Sequence, residues 1–156
     1  NKFIGSFAYN QYENAAEKIS SEVHAFTSRC FRSPTVVVVG HSMGGHGAIR
    51  TAAALANDNI KVDLGFTLDP VPQWGFGPSS IRKPQNSQVW VSFWQGSNDP
   101  FRGHPCSDSD VPDATQRQSE ADWLRSPKHI NIIVNSHNWF DEANFNFVTQ
   151  LAQLPF

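Results

Sequence analysis

"VVVVGHSMGGHGAIR", Val36 to Arg50, is the stretch on which the fold of this chain turns. Successive valines stop at Gly40, a lone serine follows at position 42, and Gly44, Gly45 and Gly47 crowd the positions after it. An unbroken β-branched run is what a strand buried on both faces of a parallel sheet presents. The residues after the serine, "GGHGAIRTAAALAND", are alanine-rich and predict a helix that ends at the Asn57-Asp58-Asn59 turn. The serine therefore sits on a tight turn from strand to helix.

The neighbouring elements follow from pattern. Tyr12, Ala15, Ala16, Ile19, Val23 and Phe26 recur at three- and four-residue spacing, which predicts a helix from Asn10 to about Arg29, with Asn10 as its cap and Ser33-Pro34 breaking it. "KFIGSFA" before it is long enough for one short strand. "KVDLGFTLDP" predicts a strand halted by Pro70, "QVWVSFWQG" a third and "HINIIVNS" a fourth, with a closing helix in "WFDEANFNFVTQLAQL". Between them, "VPQWGFGPSSIRKPQNS" reads as a surface loop and "SNDPFRGHPCSDSDVPDATQ" as a second long loop. Strands alternating with helices give an α/β fold with a mainly parallel sheet flanked by helices, in one domain spanning 1–156.

Composition narrows the function classes. A net charge of -2 offers no basic stripe for displacing counterions from nucleic-acid phosphates. No apolar run is long enough to cross a bilayer, and no leader segment is visible at the start, so the compartment stays open between secreted and cytoplasmic. Cys30 and Cys106 could form one bridge, but their spacing does not decide it. The cluster in "HPCSDSD" fits no metal-ligand spacing and reads as a polar loop, so neither metal nor cofactor is expected.

Gly40-His41-Ser42-Met43-Gly44 matches G-x-S-x-G in the setting that gives the pattern meaning, between a strand and a helix. Lifting a serine out of a sheet on so sharp a turn strains its backbone, and close neighbours must lack side chains. Gly40 and Gly44 meet that need, while Gly45 and Gly47 let the first helical turn pack tightly. The helix N-terminus aims backbone N–H groups at negative charge, and the Met43 N–H is placed to stabilise an oxyanion.

On these residues, "VVVVGHSMGGHGA" resembles the nucleophile elbow of the α/β-hydrolase superfamily, its lipases and esterases above all, and more loosely the likeness runs from the helix at Asn10 to the C-terminus. The resemblance implies a serine–acid–histidine triad in that chain order, an acyl-enzyme mechanism and no cofactor. Of six histidines, His41 and His46 lie within the elbow, His24 in the preceding helix, His104 in a loop and His129 at the start of the last strand. His137, directly after that strand in "NIIVNSHNWFDE", is where the superfamily places its base, and loops at the carboxyl ends of parallel strands converge on one crevice.

Two aspartates compete for the acid. Asp69 in "GFTLDPVPQW" ends the strand after the elbow helix; Asp99 in "FWQGSNDPFRG" follows the next one. The superfamily more often keeps its acid at the later position, whereas "LDPV" resembles a subset of lipases that keeps it at the earlier. An orienting acid benefits from a rigid, shielded place, and Asp69 leaves an apolar strand while Asp99 lies amid Gly, Ser and Asn. Asp69 is favoured, with Asp99 as its rival.

The expectation is thus a serine hydrolase of carboxylic esters, lipid or acyl, using Ser42, Asp69 and His137 with the Met43 N–H in the oxyanion hole. An acyltransferase or thioesterase with the same triad, and a non-catalytic binding module on the same scaffold, are the other classes. The aromatics of "QWGFG" and "QVWVSFW" suit either an acyl pocket or the core. One departure stands out: superfamily members carry several strands before the elbow strand, and the loop with the second oxyanion donor lies among them. No HGGG-like element precedes Val36. The reading is an N-terminally abbreviated domain: either the C-terminal part of a longer hydrolase, which would associate with the N-terminal part, or a minimal hydrolase with another oxyanion donor, the first being favoured.

Overall fold

The computed structural model describes residues 3–68, 70–94 and 111–119. Helix α1 (Tyr12–Cys30) leads into strand β1 (Val37–His41), helix α2 (Met43–Leu55), a 3-10 turn over Ala56–Asp58, strand β2 (Val62–Leu68), a second 3-10 turn at Pro78–Ser80, strand β3 (Ser87–Trp94) and strand β4 (Gln116–Ser119). All four strands are parallel, in the order β1-β2-β3-β4. The chain is therefore α/β with a parallel sheet. The predicted strand at His129–Ser136 and the closing helix lie outside the described residues.

The valine run forms β1, but its two faces differ. Val36 and Val38 are buried in one cluster with Ile49, Ala52 and Leu55 of α2 and Ala16 of α1, whereas Val37 and Val39 are half-buried. Both described helices thus feed the same core, and the strand expected to be buried on both faces is fully buried on one and half-buried on the other. Trp90 of β3 anchors the cluster, fully buried, with its indole N–H donating to Thr67 Oγ1 at 3.3 Å. Gly65 makes room for it: a Cβ there would lie 1.9 Å from Trp90 Cε3.

Register at the start of the sheet is set by Asp63. Its Oδ2 accepts the Val36 N–H at 2.8 Å while its own N–H donates to the Val36 carbonyl at 3.0 Å. His41 then stands beside Leu68 and Trp94 falls at the end of β3, so the carboxyl ends share one edge.

Several expectations are corrected. Asn10 does not cap α1; Gln11 holds the N-cap position without a side-chain cap, its Oε1 instead accepting the Ala8 N–H at 3.1 Å. The end of the helix is as expected, at Cys30, where Phe31 closes it in the left-handed region with φ 53 and its N–H returns to Thr27 O. Residues 3–8 form no strand. The segment after β2 is only partly a surface loop, because Val71, Gln73 and Ile81 are buried in it. β4 was not expected, and only its first residue, Gln116, falls in the predicted loop; its polar QRQS carries no hydrophobic alternation and pairs with β3 through the backbone.

Cys30 is a free, exposed thiol at the end of α1, and His24 is exposed on the same helix. Among the described residues no helix is long and apolar enough to cross a membrane.

Candidate active site

Ser42 is the residue between β1 and α2, with φ 54 and ψ -130. These angles mirror the extended region of ordinary residues, a conformation open to glycine and costly for any side chain, by about 1–3 kcal/mol. The surroundings over-determine it. The Ser42 N–H donates to Leu68 O at 3.0 Å, and the Ser42 carbonyl accepts from Gly45 N at 2.8 Å and Val71 N at 3.0 Å. Strand, helix and the segment after β2 each hold one side of the turn.

The glycines divide differently from the expectation. A Cβ on Gly40 would stand 2.2 Å from the Gly44 carbonyl oxygen, so this position admits no side chain. Among the described residues a Cβ at Gly44 would meet nothing within 4 Å; the clearance expected of Gly44 belongs to Gly45, where a Cβ would lie 2.8 Å from Pro70 Cβ. Gly47 allows the Tyr9 carbonyl to approach, as its Cβ would sit 2.7 Å from that oxygen. Proline after β2 and the arm before α1 are thereby brought onto the first turns of α2.

Met43 is the first residue of α2. Its N–H belongs to the first turn, which has no acceptor inside the helix, at the end where the helix dipole is positive. Asp69, its rival Asp99 and His137 all lie outside the described residues, as do His104, His129 and the "HPCSDSD" cluster. Among the described residues no group of three His, Cys, Asp or Glu side chains is arranged to hold a metal ion.

Beside the turn sits a polar cluster that the sequence did not reveal. His46 is 1% exposed, and its Nδ1 accepts the Gln73 backbone N–H at 3.0 Å. Gln73 is itself buried, and its side-chain amide donates to the Tyr9 carbonyl and, at 3.5 Å, to the Met43 carbonyl. Phe76 meets the His46 ring edge-on with centroids 5.0 Å apart. The Arg50 guanidinium lies between two rings, 3.8 Å from the Tyr12 centroid and 4.3 Å from that of Phe76, and donates to Tyr12 Oη at 2.7 Å. Trp74, in contrast, is 89% exposed and belongs to no core. A loop glutamine in "VPQWG" has no periodicity to betray its burial; only the paired aromatics hinted at packing.

Burial, aided by the nearby Arg50 charge, lowers the His46 pKa from 6.5 to about 4. The ring is neutral at pH 7, which its role as acceptor requires, with the proton on Nε2. Between 6.5 and about 4 the unfolded chain takes up a proton that the folded chain refuses. This contribution to stability is complete above 6.5 and is lost as pH falls through that window, by on the order of 3 kcal/mol. Urea unfolding at pH 7 and pH 4.5 should show a larger loss in wild type than in His46→Asn, whose amide does not titrate. Equal losses would contradict the assignment.

Compared with models of known families, with curated proteins and with solved structures, the chain finds no match in any of the three.

Proposed function

We propose that this protein is a serine hydrolase of carboxylic esters, acting on lipid or acyl esters, on an α/β-hydrolase-like scaffold. The observation that carries the proposal is the strained backbone of Ser42 at a strand-to-helix turn on the carboxyl edge of a parallel sheet. A serine without special work has no reason to occupy a conformation that glycine would adopt more cheaply. Around it the cramped Gly40 and Gly45 supply the clearance that an exposed nucleophile needs.

In the proposed reaction Ser42 Oγ attacks the ester carbonyl carbon as His137 removes its proton. The carbonyl π electrons move onto oxygen, and the Met43 N–H stabilises the resulting oxyanion. Collapse expels the alcohol, which takes the proton from His137, and leaves an acyl-serine. Water, deprotonated by His137, then releases the acid and restores Ser42. The acid orients the imidazole and keeps its tautomer.

Asp69 is proposed for that role. The chain on both sides of it is bonded to the backbone of Ser42, Leu68 through its carbonyl and Val71 through its N–H. Asp69→Asn should reduce turnover about 10⁴-fold, and Asp99→Asn should leave it within about tenfold, the scale of a lost turn residue. The reverse order would transfer the role to Asp99.

A chromogenic ester series of increasing acyl length, given to wild type and to Ser42→Ala, tests the activity itself. Cleavage by wild type that disappears in the variant supports the proposal. Cleavage that persists in Ser42→Ala rules out this nucleophile.

A further inference from the structure

We infer that His46 and Gln73 are positioning residues for the Met43 N–H, holding the oxyanion-binding peptide in direction; the inference rests on the serine-hydrolase reading above. The Ser42 carbonyl and the Met43 N–H are opposite sides of one planar peptide unit. Whatever fixes the direction of the carbonyl fixes the N–H, pointing the other way. The carbonyl is fixed by two donors, Gly45 N at 2.8 Å and Val71 N at 3.0 Å. The first comes from the same helical turn and moves with it. The second comes from the segment after β2, so the rotation of the peptide depends on how that segment is held.

Three contacts hold it, all to the first turns of α2. Pro70 lies against Gly45, where a Cβ would meet it at 2.8 Å. The Gln73 N–H donates to His46 Nδ1 at 3.0 Å. The Gln73 amide reaches the Met43 carbonyl at 3.5 Å and also takes the Tyr9 carbonyl. His46 is a turn beyond Met43 on the same helix, so the bond it accepts locks Val71 and its donor in register with the peptide they orient. With both side chains buried, no water is at hand to replace the bond if it is lost.

His46→Asn, His46→Leu and Gln73→Leu test this. Asparagine Oδ1 stands near the position of imidazole Nδ1 and can accept the Gln73 N–H; leucine cannot. With a chromogenic ester, His46→Leu should lose about 100-fold in kcat with KM nearly unchanged, because misplacing a donor on the ångström scale acts on the transition state. His46→Asn should recover most of that loss, and Gln73→Leu should fall between them. Thermal melts of each variant establish that it is folded; if His46→Leu does not melt cooperatively, Gln73→Leu decides in its place. Unchanged kcat in the decisive variant, equal losses in His46→Asn and His46→Leu, or a loss matched by a rise in KM would overturn the inference. Fluorophosphonate labelling of wild type separates the two levels. An unlabelled Ser42 removes the hydrolase reading and the positioning role with it, whereas a labelled Ser42 with unaltered kcat in the variants removes the positioning role alone.

Discussion

Ser42→Ala is expected to lower ester turnover about 10⁴-fold or more, leaving only what oxyanion stabilisation and substrate binding achieve without a nucleophile. Its companion, Ser42→Gly, should be equally inactive and more stable than Ser42→Ala by about 1–3 kcal/mol. The second effect distinguishes a strained functional serine from a serine that merely occupies a turn. At φ 54 and ψ -130 any Cβ is disfavoured, so alanine keeps the strain and glycine releases it. The turn is held from three sides by Leu68, Gly45 and Val71, and those bonds involve backbone atoms that both variants retain. A glycine variant that melts above the alanine variant is the expected readout. A glycine variant less stable than alanine would mean that the turn is not strained.

Gly40→Ala should be among the most destabilising single substitutions in the chain, costing about 4 kcal/mol or more. The obstacle is the Gly44 carbonyl oxygen at 2.2 Å, a backbone atom in the first turn of α2, which cannot rotate aside as a side chain can. Moving it would displace α2 from β1 and expose Ile49, Ala52 and Leu55 of the core. Most domains of this size have stabilities of about 5–15 kcal/mol, so such a loss brings the variant near unfolding at room temperature. Gly44→Ala is the control. Its Cβ meets nothing among the described residues, and alanine is the better helix former by about 1 kcal/mol, so stability should hold or rise. Urea midpoints for the two variants check the contrast; similar midpoints would refute the account of the elbow.

How much of this was legible in the sequence depends on what kind of force places each residue. The valine run, the alanine-rich helix and the periodic residues from Tyr12 to Phe26 announced β1, α2 and α1, because burial imposes a spacing that is visible in one dimension. The elbow was legible for the same reason, a local turn with local demands on glycine. Which glycine carries the crowding was not, since Gly45 is confined by Pro70 from a later strand end. Gln73 and His46 were illegible because their pairing crosses from a loop to a helix, and neither has a pattern of its own. β4 escaped as a polar strand held by backbone bonds, and Gln11 took the cap expected of Asn10 because the chain before it folds back through Ala8. The triad partners proposed for Ser42 rest on sequence position and, for Asp69, on the bonds that flank it.

The most direct test of the central claim is covalent. Folded wild-type protein treated with a fluorophosphonate probe and digested should give a single phosphonylated peptide, modified at Ser42 within Val36 to Arg50, and Ser42→Ala should give none. A folded, cooperatively melting wild type that carries no adduct at Ser42, or carries it on another residue, would contradict the claim that this strained serine is a nucleophile.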